Sequence, residues 1–430
     1  MNHCKTIPAG AGEKIQYAAH GFNDNTIRFV LGYPGKLDPD LLRAAAKAVT
    51  DSVDILHASF YAGDIGAHWQ VNQAYDDGCF FQQSETEHDP YEEACSLALL
   101  PIKPADKTQL CCRLVQGKTG SAFALTISHL CVDGSDGKYL LGKLTEAYSL
   151  LATKGNTEGL AIKNGSRDTT QPYQDIHGQE FLSLMKAPGS EIKSFFPYPT
   201  KEPGTARMAH AVIPEEIIAE AHTLAKAAGA TVNDLLLAAY YHGYACIPEI
   251  NPSSPMSIMS MIDLRRHCRG GESEGLCNMS GTLPTILPQG IGTSFPATLS
   301  QIAQQTRAAK ENPLAGLMGL PILHGVSKAL PMGLLLASAG RIYGSMSLGL
   351  TNLGRLSGSN LKMGGMSPEK GLCGGPLKKK PGMQVSALSF DGTLTLCVWG
   401  EYTQPDKELI QSMLNRMALE ITAYAKDKPA

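Results

Sequence analysis

Between Ser121 and Leu151 the hydrophobic pattern changes its period. Phe123, Leu125 and Ile127 alternate with Ala124, Thr126 and Ser128. A period of two predicts a half-buried strand. Further on, the apolar positions fall at Leu140, Leu141, Leu144, Tyr148 and Leu151, the spacing of one helix face. His129 stands at the junction, followed after three residues by Asp133 and Gly134. The Asp133-Gly134 pair is expected to turn the chain into the helix, with Asp136 as its N-cap. A strand-end turn of this kind holds side chains on a rigid scaffold, where chemistry is often placed.

The same reading extends in both directions. Residues 26–33 alternate as a strand that Pro34-Gly35 breaks. Asp38-Pro39 supplies an N-cap and a first-turn proline for a helix over residues 41–53. Residues 55–61 and 68–71 are expected to be short strands. Residues 153–205 are rich in Lys, Gly, Asn, Thr, Gln and Pro and keep no period, which is the composition of a linker. Residues 208–213 predict a strand. A helix follows from Pro214 to near Gly229, and a second opens at Thr231. Residues 257–262 form the next strand, followed by Asp263-Leu264-Arg265. Residues 345–350 are strand-like and run into Thr351-Asn352-Leu353-Gly354. An Asp391-Gly392 turn joins residues 385–388 and 394–398 as a hairpin. Residues 405–424 close the chain as a helix with Ile410, Met413, Met417, Ile421 and Tyr424 on one face. Strands interspersed with helices predict a mixed α/β (α+β) architecture. The division expected is 1–165, a linker over 166–205, and 206–430.

Composition narrows the function classes. A 430-residue chain with 43% hydrophobic and 18% charged residues can build a large core. A net charge of −3 gives no reason to expect nucleic acid or an anionic membrane as a partner. The first residues carry no apolar stretch of a signal peptide, and no apolar run approaches the roughly 18 residues of a spanning helix. Eleven cysteines lie scattered without CxxC spacing. They are expected to be reduced thiols of a cytoplasmic protein, with no metal site. There is no phosphate loop, G-x-S-x-G, H-E-x-x-H or G-x-G-x-x-G.

The H-x-x-x-D-G spacing of His129, Asp133 and Gly134 resembles the motif of the chloramphenicol acetyltransferase superfamily. That superfamily includes condensation domains of nonribosomal peptide synthetases, wax ester synthases and plant alcohol acyltransferases. Further blocks stand in the family's order: the first strand and helix, the helix opening TVNDLLLAA, Asp263-Leu264-Arg265, Gly275 with Asn278, and Thr351-Asn352-Leu353-Gly354. The resemblance implies two acetyltransferase-like subdomains, each a mixed sheet with flanking helices, and a tunnel at their interface. Ser128 stands where peptide-forming condensation domains double the histidine, and the D-F-G-W-G block of the plant enzymes is absent.

His129 is the candidate general base, because an imidazole titrates near neutrality and takes a proton as an alcohol or amine attacks. Asp133 reads as a second base, a metal ligand or a structural anchor. The resemblance favours the anchor, paired with Arg265, or with Arg266 in its place. Gly134 allows tight packing beside His129. Asn278, Thr351 and Asn352 are candidates for substrate binding or for polarising an oxyanion, with turn and cap roles equally open. Lys378, Lys379 and Lys380 are candidates for the phosphates of coenzyme A or phosphopantetheine, a solvated loop being the more common reading. The apolar content of residues 314–350 suits an acyl chain as well as a core. The function expected is transfer of an acyl group from a CoA or carrier-protein thioester to a small-molecule hydroxyl or amine, with no bound cofactor. The alternatives are a stand-alone condensation domain working on carrier-bound substrates and a silent scaffold of the same fold.

Overall fold

The protein is described by a computed structural model covering residues 5–63, 66–185, 192–343 and 348–427, the side chains of residues 340–343 excepted. Three sheets organise these residues. The first half builds a five-stranded mixed sheet in the order Lys370–Gly374, Thr26–Tyr33, Ser121–Ser128, Leu110–Gln116 and Phe81–Glu85. Only its last pair is parallel. The second half builds a six-stranded mixed sheet in the order Ser280–Leu287, Met256–Asp263, Leu348–Leu356, Met383–Phe390, Thr393–Tyr402 and Thr205–Ile213. The strand Leu348–Leu356 runs parallel to both its neighbours. A small antiparallel sheet joins Thr6–Pro8, Ala67–Val71 and Ala58–Ala62. Helices flank the two large sheets, so the expected mixed α/β architecture is the one observed.

The central strands differ from the half-buried reading. Every residue of Thr26–Tyr33 and of Ser121–Ser128 is buried. Ile27, Phe29, Leu31, Phe123, Leu125 and Ile127 pack under the helices Pro39–Asp51 and Gly134–Lys154. The opposite face, with Val30, Ala122 and Ala124, lies against Ala94, Ala98 and Trp399. Small residues on that face let the second layer approach, so alternation here separates two buried faces. Arg28 is fully buried on the same strand, and its guanidinium is paired with Asp24.

Local signals explain most element ends. Asp38 accepts from Asp40 N and Leu41 N, with Pro39 opening the helix. Thr231 and Thr403 form reciprocal capping boxes with Asp234 and Asp406. Asp391 and Gly392 both have positive φ, 42° and 90°, as the tight hairpin turn requires. Three expectations change. Residues 54–57 form a short 3-10 turn before the strand Ala58–Ala62. The strand expected over residues 345–350 is Leu348–Leu356, and residues 345–347 lie outside the described residues. The helix of the motif runs Gly134–Lys154 and is capped by Asp133, not Asp136: the Asp133 carboxylate accepts from Ser135 N and Asp136 N. The chain is already helical at Gly134, which puts Asp136 inside the first turn.

The strand Lys370–Gly374 pairs with Thr26–Tyr33, although its sequence neighbours belong to the six-stranded sheet. The chain therefore crosses from one sheet to the other and back within residues 356–383. The helix Gly134–Lys154 sits close on the first sheet because residue 137 is glycine: a Cβ there would stand 2.9 Å from the Phe29 ring. Gly137→Val is expected to destabilise the protein by about 1–3 kcal/mol through overpacking. Chemical denaturation measures this, and an unchanged midpoint would show that the helix has room to move.

Candidate active site

The turn between Ser121–Ser128 and Gly134–Lys154 is pinned before any side chain acts. His129 N donates to Asn25 O at 2.7 Å, and Cys131 N donates to Ser128 O. His129 Nδ1 lies 2.7 Å from Val132 O. Asn278 Nδ2 lies 3.1 Å from the same ring nitrogen and 3.4 Å from His129 O. A carbonyl oxygen only accepts, so the short contact to Val132 O assigns the proton to Nδ1. Asn278 Nδ2 then serves His129 O, while its Oδ1 accepts from Ser280 N. With Nδ1 committed, Nε2 keeps its lone pair. Burial lowers the His129 pKa from the usual 6.5, the Lys378 charge lowers it further, and the Val132 carbonyl and Asp133 act in the other direction. The balance favours the neutral ring.

Asp133 points away from the imidazole and into the other half of the chain. Its Oδ2 accepts from Arg265 Nη1 at 2.7 Å and from Met279 N at 2.7 Å. Arg265 Nη2 lies 2.9 Å from Asp136 Oδ2. The guanidinium also donates to Ser273 Oγ and Cys277 O. Asp136 Oδ1 meets Lys163 Nζ at 2.5 Å, and its Oδ2 accepts from Cys277 N. Desolvation raises the Asp136 pKa, and the neighbouring Asp133 charge adds to it. Burial opposes the charge on Arg265, but Asp133 and Asp136 outweigh it and its pKa rises. Arg266 lies outside this cluster and donates to Lys310 O.

A chamber of about 530 Å³ opens beside the motif. His129, Gly134, Thr351 and Lys378 line it together with apolar side chains such as Met259 and Met383. Residues 320, 322, 323 and 326 of the helix Leu320–Ala329 add to its wall, part of the apolar 314–350 stretch. Gly134 leaves space for Leu353, whose Cδ2 would stand 2.4 Å from a Cβ at that position. Lys138 Nζ donates to Leu353 O at 2.6 Å and ties the motif helix to the Thr351–Gly354 segment. Asn352 Oδ1 accepts from Gly354 N and shapes this turn; the residue does not line the chamber. Thus His129, Gly134 and Thr351 share one cavity, Asn278 touches the histidine from behind, and Asp133 with Arg265 forms the support.

Four contributors were not named from the sequence in these roles: Asp136 as a second carboxylate for Arg265, Lys163, Arg167 and Glu13. Arg167 donates to Cys131 O, Leu276 O and Glu13 Oε1 from within the aperiodic stretch 153–205. Only the i, i+3 spacing of Asp133 and Asp136 was visible beforehand. The three lysines 378–380 are half-buried, which corrects the solvated-loop reading.

Comparison with known proteins follows the same line. The model of the condensation domain matches residues 14–320, more than half of the chain. The chain belongs to the condensation-domain family. No curated protein matches its sequence significantly. Polyketide synthase associated protein 5 from Mycobacterium tuberculosis superposes with a TM-score of 0.68 at 16% identity, over 97% of this chain and 98% of that one. Trichothecene 15-O-acetyltransferase from Fusarium sporotrichioides gives 0.70 at 12% identity, over 96% and 95%. The condensation domain of the monacolin K polyketide synthase gives 0.67 at 13% identity, over 98% of each chain. At these identities the likeness is one of fold.

Arg265→Ala is expected to leave Asp133 without a counter-charge and Asp136 with Lys163 alone. The cost is about 3–5 kcal/mol, the magnitude of breaking a buried pair. Urea denaturation measures it; a loss under about 1 kcal/mol, the range of a surface pair, would remove the ion pair as the support of the motif.

Proposed function

We propose that this condensation-domain protein is an acyltransferase that moves an acyl group from a thioester of coenzyme A or of a carrier's phosphopantetheine arm to a hydroxyl or amine, with His129 as general base. The observation that carries this reading is the His129 ring itself. It lines an apolar chamber, has Nδ1 committed to the Val132 carbonyl, and is held neutral by burial.

Nε2 takes the proton of the acceptor as its oxygen or nitrogen attacks the thioester carbonyl. The new C–O or C–N bond gives a tetrahedral intermediate. Its collapse breaks the C–S bond, and the thiol leaves with the proton that His129 returns. A thioester is already activated, so holding two substrates over one base is enough. Thr351, on the chamber wall, is the candidate to order substrate or polarise the carbonyl oxygen. A second reading, amide or ester formation between two carrier-bound substrates, is favoured by the family match over residues 14–320.

The experiment is thiol release from a panel of acyl-CoA donors with mixed alcohols and amines, using chelator-treated protein. Turnover with carrier-bound donors alone would select the second reading. No release with either donor class, or release only after adding a metal or a nucleoside triphosphate, would overturn both. His129→Ala is expected to fold and to lose about two to four powers of ten in turnover. The pH profile follows from the sign of the shift. The protonated ring cannot accept a proton, so kcat/KM falls as pH drops through the His129 pKa. Half-maximal kcat/KM is expected below pH 6.5, the unshifted value; a half-maximum above it would contradict the buried-base assignment.

A further inference from the structure

Residues 375–382 carry the chain from the strand Lys370–Gly374 back to Met383–Phe390 and pass the chamber on the way. Lys378 is fixed within this segment through its backbone. Its N donates to Trp399 O at 3.1 Å, and its O accepts from Glu401 N at 2.9 Å. Bridges to Asn23 and Gly400 hold it from both sides. The side chain lines the same chamber as His129, and its charge reaches the imidazole.

The ammonium has no hydrogen bond or ion pair among the described residues. Lys380 Nζ meets Asp406 Oδ2 at 2.5 Å and donates to Thr200 and Glu202. Asp24, whose charge Lys378 feels, is already committed to Arg28 and to Leu377 N. Burial lowers the Lys378 pKa to about 8, with Asp24 acting the other way, so the group is mostly charged at neutral pH. Much of the surrounding wall is apolar, including Met259, Met261, Leu348 and Met383. The side chain is half-buried, so an anion brought by a ligand gains a charge-assisted partner that the protein itself does not use.

We propose that Lys378 is a carboxylate-binding residue of the chamber, and that the acceptor is a hydroxy or amino acid whose free carboxylate pairs with the Lys378 ammonium beside His129. This rests on the acyltransferase reading. The anionic groups of a thioester donor are phosphates at the far end of the pantetheine arm, away from the reacting carbonyl. The apolar wall suits an acyl chain, which leaves the charge to the acceptor. A carboxylate esterified to a carrier has no charge to offer, so the pairing selects free acids.

The test compares 3-hydroxydecanoate with 3-hydroxydecanamide, two probes that differ in the anionic group alone. Calorimetric binding without donor is expected to favour the acid by about tenfold or more, the scale of a charge-assisted pair. Lys378→Met and Lys378→Gln should abolish the preference, and Lys378→Arg should keep it. As acceptors with an acyl-CoA donor, the acid should show the lower KM in the wild type and in Lys378→Arg but not in the two neutral variants, with kcat changed less than KM by Lys378→Met. Equal binding of acid and amide to the wild type, or a preference that survives both neutral variants with unchanged unfolding midpoints, would overturn the proposal. A clear binding preference without thiol release from any donor would instead sink the acyltransferase reading and leave the carboxylate site standing.

Discussion

The Arg265 guanidinium joins the two large sheets at the point where the histidine turn needs support. Two carboxylates, Asp133 and Asp136, lie one helical turn apart and buried, an arrangement that is repulsive by itself. Arg265 contacts both and also satisfies Ser273 and Cys277. Lys163 takes the remaining oxygen of Asp136. Every charge in the cluster therefore has a partner, the condition under which buried ions are tolerated. The cluster does not need to contribute net stability to matter. It sets how the Met256–Asp263 strand end and the Cys277–Met279 backbone meet the start of the motif helix.

This support has a chemical consequence at His129. A carboxylate hydrogen-bonded to the imidazole would raise its pKa and stabilise the imidazolium. Asp133 is occupied elsewhere, so the ring is oriented by a neutral carbonyl, that of Val132. Burial then dominates and the pKa falls. Two residues of one short motif thus face different ways, His129 into the chamber and Asp133 into the ion-pair cluster, and the Asp133 N-cap geometry makes the division possible.

The chamber depends on the same seam. Leu353 closes over Gly134, and Lys138 holds the Leu353 carbonyl, so the Leu348–Leu356 strand and the motif helix form one continuous wall. The crossing segment that returns through Lys378 completes it from a third direction. Packing between elements far apart in sequence has made a cavity whose polar groups are few and separated. That pattern is common to small-molecule sites.

Much of this was legible in the chain. Period-two and helical spacings located the central strand, the motif turn and the helix after it, because the two faces of the strand pack against different layers and the helix buries one face. Caps such as Asp38-Pro39 and Thr231 act within four residues, so their signal is local. The block Asp263-Leu264-Arg265 was visible for the same reason, and its resemblance to a family pattern supplied a partner that no spacing reveals. The tertiary structure alone decided the rest. It moved the N-cap from Asp136 to Asp133, since which of two nearby carboxylates caps a helix depends on where the backbone first turns. It brought Lys163 and Arg167 to the motif from a stretch without periodicity, where surface loop and buried anchor have the same composition. It also left Lys378, on the chamber that His129 lines, without an ion pair among the described residues while pairing Lys380 two residues away. The pairing of a charge is set by distances through space, and the linear pattern of three lysines carries no trace of it.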